Sequence, residues 1–383
     1  MGSHIIHTLL VTSNRFQSLS PVLVAGIIAL LSGVVWLITG LRAADAAALA
    51  AGTHLLFSLL DWLLLWLLPR LGRSFGPDRP SALALAVVRA LVLIVLGLLA
   101  LPGWLMVITA ALISAVAFYA TWIEPFRLGV THETYTFPGW RADAPPLRLL
   151  HIGDIHIERI TARERRLNAL IEELKPDVIV FSGDFVNISY HDDPLTEKHI
   201  REIISAWRAP LGVYCVSGTY TVESLERVRT FVAGLDNLRL LVDEWVRLDV
   251  PGGAFNLLGM RTTHFVDQDR VTVAALAQRA PDADAFKLLL THAPDVAPEA
   301  DAAGYHLYLC GHTHGGQIRF PFIGAVFSGS ALGLRFVMGR YDLNTVTVYT
   351  SRGVGLEGMG APRARFLCPP EIILWEIRGA GVG

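Results

Sequence analysis

Apolar positions divide the chain in two. Up to residue 122 they form four long runs, 21–41, 46–68, 82–101 and 103–122, almost free of charge. Each is about 20 residues, the length that crosses a hydrocarbon core of roughly 30 Å at about 1.5 Å per residue. Four transmembrane helices are therefore expected within 1–123, with Pro102-Gly103 folding the last two into a hairpin. After a linker expected over 124–146, the runs shorten. Apolar stretches at 147–152, 178–181, 213–216, 286–290 and 307–309 read as strands, the first and last of them buried.

Helix signals lie between the first of these strands. Thr161-x-x-Glu164 is a capping box opening a helix to about Leu174, and Asp193-Pro194 opens another to about Trp207. A third is expected from Val222. From 238 strands dominate (238–242, 245–250, 255–258), with a turn at Pro251-Gly252-Gly253. One further helix is expected with Asp269 as its cap, and closing strands at 346–350 and 372–377. Alternating strands and helices followed by a strand-rich half predict a layered α/β domain, sheets inside and helices outside.

Composition sharpens the division. The chain is 52% hydrophobic and 17% charged, too apolar for an ordinary soluble protein. Residues 1–123 hold six Arg, no Lys and three Asp, a net of +3; with −2 overall, the remainder carries −5. Neither part is basic enough to mark nucleic acid as a partner. Arg15, Arg70, Arg73, Arg79 and Arg127 fall on one side of the four spans and only Arg42 on the other. The excess of arginine predicts that the C-terminal domain lies in the cytoplasm, beneath the inner membrane. Asp61 and Arg89 lie inside the second and third spans at similar depth and are expected to pair. Cys215, Cys310 and Cys368 are odd in number and widely spaced. They form neither a zinc pattern nor a disulfide framework, which suits a reducing compartment.

Candidate chemistry gathers at Cys310-Gly311-His312-Thr313-His314-Gly315-Gly316, just past an apolar run. In an extended segment side chains at i and i+2 point the same way, so His312 and His314 are expected to face one site together. Asp154-Ile155-His156, Gly183-Asp184 and Thr291-His292 also follow apolar runs. Ligand-bearing loops past strand ends are where open α/β sheets place their sites. Carboxylate and imidazole are the donor set of a divalent or di-metal hydrolytic centre.

That ordered set, Asp154-x-His156, Gly183-Asp184, His292 and Gly311-His312-x-His314, resembles the calcineurin-like metallophosphoesterase family from about 147 to 377. The late segments Thr350-Ser351-Arg352-Gly353-Val354-Gly355 and Pro369-Pro370-Glu371-Ile372 look like its membrane-associated bacterial branch, which includes UDP-2,3-diacylglucosamine pyrophosphatase-like enzymes. The four spans lie outside the resemblance. It implies an α/β four-layer sandwich, two sheets flanked by helices, for 147–383. It also implies two divalent ions of the Mn, Fe or Zn type. Asp154, His156 and His314 would bind one, Asp184 would bridge, and His292 and His312 would bind the other. The implied activity is attack by metal-activated hydroxide on a phosphomonoester, phosphodiester or lipid-linked pyrophosphate.

One position departs from the family. Its Gly-Asn-His reads here Gly218-Thr219-Tyr220. Thr219 offers a hydroxyl, a poorer neutral ligand than an amide carbonyl. Tyr220, with an ordinary pKa of about 10, replaces the imidazole near the leaving group; loss of a general acid costs about 10²–10⁴-fold. Two readings follow: a membrane-anchored phosphoester hydrolase, or a catalytically degenerate membrane regulator that binds metal or phosphate. His191 and His264 are candidate substitute acids, and Arg352 beside Gly353 is a candidate phosphate contact.

Overall fold

The computed structural model describes residues 12–380 and divides into two compact units. One runs to Glu124 and takes in 357–364; the other runs from Pro125 to Leu356 and resumes at Arg365.

The first unit is built on α1 (Pro21–Gly40), α2 (Ala44–Arg70), α3 (Asp78–Leu98) and α4 (Gly103–Phe118). All four are long and apolar enough to cross a membrane, α4 with the turns that continue it to Phe126. Ser20 caps α1 by accepting from the Leu23 N–H, with Pro21 in the first position, where no N–H is needed. The unit is a membrane protein's inside-out: Leu30, Leu37, Leu56, Leu63 and Leu91 face outward. Polar side chains turn inward. Arg89 pairs with Asp61 at 2.5 Å and also reaches Ser58 and Ser114, all buried. His54 bridges Ser32 Oγ (2.8 Å) and the Ala86 carbonyl (2.9 Å). Such internal satisfaction is what hydrocarbon demands of intramembrane polar groups. The α-helical part of the last span stops at Phe118, passing into a π-helical turn over Tyr119–Ile123.

The second unit holds fourteen strands in chain order: β1 (Gly129–Phe137), β2 (Leu147–Ile152), β3 (Val178–Phe181), β4 (Val213–Cys215), β5 (Leu238–Leu240), β6 (Glu244–Val250), β7 (Gly253–Gly259), β8 (Phe286–Leu290), β9 (Leu307–Cys310), β10 (Arg319–Phe320), β11 (Gly324–Ala325), β12 (Gly339–Asp342), β13 (Thr347–Thr350) and β14 (Glu371–Gly379). One sheet runs β1-β14-β2-β3-β4-β5 and the other β12-β13-β9-β8-β7-β6. Leu149, Val180 and Trp375 of the first meet Leu257, Leu288 and Leu309 of the second. On the outer face of the first lie α5 (Ala162–Leu174), α6 (Pro194–Ile204) and α7 (Leu225–Val232); on that of the second, α8 (Val266–Ala277) and the short α9 (Ala297–Ala302). Because both faces are covered, neighbouring Leu149 and Leu150 are each buried, one in each core. This is the four-layer sandwich.

Several local expectations change. The stretch 124–146 is not merely a linker, since it contains β1, which pairs in parallel with β14 over its full length. Its polar alternation, typical of a partly exposed edge strand, hides it from an apolar-run criterion. α7 begins after Ser224, which caps it, rather than at Val222. Asp269 does not precede α8 but sits in its first turn, its carboxylate taken by the Thr263 N–H and hydroxyl.

Candidate metal centre

The six candidate ligands leave the ends of β2, β3, β8 and β9. Five have left-handed backbones: Asp154 (φ 44°), His156 (39°), Asp184 (60°), His312 (70°) and His314 (50°). None is glycine, so each costs of order 1–3 kcal/mol, and such strain concentrates where side-chain placement matters. The His-x-His stretch is therefore not extended. Its two imidazoles nonetheless reach the same centre, one in each of two ligand groups that share Asp184.

The ligand atoms form two groups, each within 4.8 Å. Asp154, His156, Asp184 and His314 make the first; Asp184, His292 and His312 the second, sharing Asp184. His156 Nε2 lies 2.9 Å from His314 Nε2 and 3.3 Å from Asp184 Oδ2. His292 Nε2 lies 3.2 Å from Asp184 Oδ2 and 3.1 Å from His312 Nδ1. Two ring orientations are set from outside the cluster. His292 Nδ1 donates to the Ser182 carbonyl at 2.9 Å and His156 Nδ1 to the Val186 carbonyl at 3.3 Å. Each therefore turns its Nε2 inward, where it meets Asp184 and another imidazole nitrogen. Imidazole nitrogens converging on a shared carboxylate fit divalent cations, and carbonyls behind ligand imidazoles are the usual second layer of such sites.

The main chain builds this geometry. The His312 N–H donates to both oxygens of Asp154 (3.0 and 3.1 Å), an approach possible because a Cβ at Gly311 would strike that carboxylate. Glu223, absent from the sequence-based set, is fully buried and accepts four N–H groups: Asp184 (3.0 Å), Phe185 (2.7 Å), Val186 (3.3 Å) and Gly218 (2.7 Å). It ties the Asp184 loop to the Gly218 loop. Only the presence of an acid five residues after Gly218 hinted at it, because its partners are backbone groups that no motif records.

Thr219 enters the second group. Its N–H donates to Asp184 Oδ1 at 2.6 Å, and its hydroxyl lies 3.2 Å from Asp184 Oδ2 and 3.1 Å from His292 Nε2. Tyr220 does not follow it inward; the residue is 60% exposed. Arg352 is committed elsewhere, its guanidinium on Glu371 at 2.5 Å and its N–H on the same carboxylate. Of the substitute acids, His191 bonds the Ile188 carbonyl and Asp192 on the surface. His264 instead sets its ring 4.9 Å from that of His312 and 6.2 Å from that of His292. His151 is structural, buried against Ser182 Oγ at 3.2 Å and held by burial down to about 3.

Charges in the cluster are tightly interlocked. Burial opposes the charge of Asp184, but His292 and His156 overcome it and hold the carboxyl well below its ordinary range. Burial also opposes the cation of His292, yet Asp184 raises it to about 10. Burial lifts Asp154 to about 6 and, helped by the charge of Asp184, Glu223 to about 7. His312 and His314 are held neutral, burial first and the neighbouring imidazoles second. A bare site therefore keeps a proton on His292, the proton a metal would replace.

Comparison with known proteins agrees with this chemistry. Residues 147–316 match the calcineurin-like phosphoesterase family. The metallophosphoesterase YkuE of Bacillus subtilis is 27% identical over 279 residues, 68% of this chain and 89% of that protein. The phosphodiesterase YaeI of Escherichia coli is 26% identical, over 65% of this chain and 93% of its own. The UDP-2,3-diacylglucosamine pyrophosphatase LpxG of Chlamydia trachomatis is 24% identical, over 67% of this chain and 91% of its own. A buried Asp/His cluster on strand-end loops, within the stretch that matches, identifies the second unit as a calcineurin-like metallophosphoesterase domain, that of a hydrolase acting on ester bonds.

Proposed function

We propose that the chain is a membrane-anchored, two-metal phosphoester hydrolase whose centre faces the cytoplasm. The observation that carries this reading is the pair of ligand groups joined at Asp184. Asp154, His156 and His314 would hold one divalent ion and His292 and His312 the other, with the Thr219 hydroxyl at the edge of the second. Paired divalent cations polarise phosphoryl oxygens and lower the pKa of water, which is the chemistry they would supply here. The protein's own part is positional. Asp184 would hold two like charges close, while Ser182 and Val186 orient imidazoles and Glu223 locks the two loops that bear Asp184 and Thr219.

The arginine bias across the spans supports the cytoplasmic side. Phosphodiester and lipid-linked pyrophosphate chemistry among the relatives supports a phosphomonoester, phosphodiester or lipid-linked pyrophosphate as substrate, held near a bilayer. With Tyr220 turned to solvent, protonation of the leaving group falls to water, which favours substrates with good leaving groups. The same exposure favours a second reading, a regulator that binds metal or phosphate without turnover.

Metal content of the purified full chain, by elemental analysis beside turnover of an aryl phosphodiester, separates these. Two equivalents lost together in Asp184→Asn, with turnover in the parent, are expected. Two equivalents without turnover would establish the regulator. No metal even after loading with Mn²⁺ would refute the hydrolase and leave a regulator that binds phosphate.

A further inference from the structure

The loop that carries His312 and His314 runs on into a small antiparallel hairpin, β10 and β11, in which Arg319 faces Ala325 and Phe320 faces Gly324. Its outer end is apolar and bare. Phe320 is 47% exposed, Phe322 109%, Ile323 72% and Val326 62%, four large apolar side chains within seven residues. Exposed apolar clusters of this kind mark contact surfaces rather than chance exposure. The root is held firmly. The Arg319 N–H donates to the Phe366 carbonyl at 2.9 Å and its guanidinium to the Gly315 carbonyl at 2.9 Å, while Gly316 packs on Ala325 too closely to admit a Cβ. A fixed base with a greasy tip is a presented element, not a fraying one.

Charge says what the tip is presented to. From 318 to 341 there are three arginines, Arg319, Arg335 and Arg340, and no Asp or Glu, although residues from 124 onward sum to −5. Arg340 is paired with Glu133 and Asp342, but Arg335 is exposed beside the ring of Phe336. Aromatic and aliphatic side chains in a stretch that carries arginine and no acid are suited to the interface of an anionic bilayer, where rings enter the acyl boundary and cations meet phosphate. Four helices long and apolar enough to span keep the same chain at a bilayer.

We propose that the 319–326 hairpin inserts its tip into the anionic leaflet of a lipid bilayer. The contact is additional to the spans and independent of whether the centre turns over. Because the hairpin grows out of the ligand loop, insertion brings the metal centre to headgroup depth, and a phosphoester carried on a lipid becomes the substrate class within reach.

The three cysteines are buried, so Phe322→Cys in the full chain accepts a nitroxide selectively. The measurement is collisional access in nanodiscs that contain anionic lipid and hold one chain each, compared with the same label at Glu197→Cys on the exposed face of α6. Several-fold more oxygen access and several-fold less access to a nickel chelate are expected at 322. Equal nickel access at both positions overturns the proposal. In vesicles, spin–spin broadening at 322 that disappears on dilution with unlabelled chain would assign the tip to a second copy, which also overturns it. In purely zwitterionic discs the label should return toward water; unchanged depth removes the role given to the arginines. A Phe322→Ser, Ile323→Ser chain that keeps its metal should lose several-fold turnover on a lipid-dispersed phosphoester and none on a soluble aryl phosphodiester. Equal loss on both refutes the link to substrate delivery. Depth is read without turnover, so an inactive chain with a buried tip would sink the hydrolase reading and leave this one standing.

Discussion

Replacing Glu223 by Gln isolates the force that holds the centre together. The side chains have the same shape, so no cavity opens and only the polar pattern changes. Glu223 Oε1 accepts from Asp184 and Gly218, and Oε2 from Phe185 and Val186. Glutamine keeps one oxygen for one pair and turns an N–H group on the other. Two charge-assisted hydrogen bonds are lost, each worth about 1.5–3 kcal/mol, a gross cost of about 3–6 kcal/mol before the loops relax. With about 3 kcal/mol surviving, and a factor of ten in binding for each 1.4 kcal/mol, Mn²⁺ at the His292–His312 group should weaken by roughly 10²-fold. The Asp154–His156–His314 group, fixed also by the His312 N–H, should weaken by less than about tenfold. Chelator competition on the detergent-solubilised chain reads both affinities. The effect also has a pH signature. Glu223 is lifted to about 7 by burial, so below that pH the wild-type carboxyl is neutral and, like the amide, offers one good acceptor. Wild type and variant should differ most at pH 8.5 and converge near pH 5.5. Affinities equal within threefold at pH 8.5, in a folded variant, would refute the role given to this carboxylate.

Loading the second group should displace the proton that Asp184 keeps on His292 up to about pH 10. Calorimetry at pH 8 in buffers of different ionisation enthalpy should therefore show release of about one proton per ion and affinity rising about tenfold per pH unit; no release would contradict the assignment. In the first unit, Asp61→Asn or Arg89→Gln alone leaves a buried charge without its partner, costing about 3–5 kcal/mol. Each single variant should lower the melting temperature in detergent sharply, and replacing both residues by Leu should restore much of it; silent single variants would refute the pair. Acid should unfold the second unit partly through His306, which accepts from the Lys287 N–H at 2.9 Å and is lowered by burial to about 4. The unfolded chain takes that proton at about pH 6.5 and the folded one only near 4, so stability is full above 6.5 and falls by about 2–3 kcal/mol toward 4. Thermal midpoints of His306→Asn should decline less over that window.

The sequence by itself determined what local physics dictates. A bilayer imposes its thickness on each span whatever the contacts, so four runs of about 20 residues are legible without a structure. Strands covered on both faces appear as short unbroken apolar runs, and the capping box at Thr161 and Glu164 marks α5 because it is closed within one turn. Residue types suited to metal were visible for a similar reason, each following a strand end.

What only the tertiary structure decided depends on segments far apart in the chain. β1 becomes a strand because β14, some 240 residues later, offers it an edge. His312 and His314 both reach the centre, but from left-handed backbones rather than the extended segment their spacing suggested, with the His312 N–H held by Asp154; each enters a different ligand group. Arg352 is drawn away from phosphate by Glu371, Tyr220 is left in solvent while Thr219 turns in, and His264 arrives beside His312 from a loop with no motif. Glu223 matters through four backbone donors. Donor type is written in the side chain, but convergence is set by which loops the two sheets bring to one end.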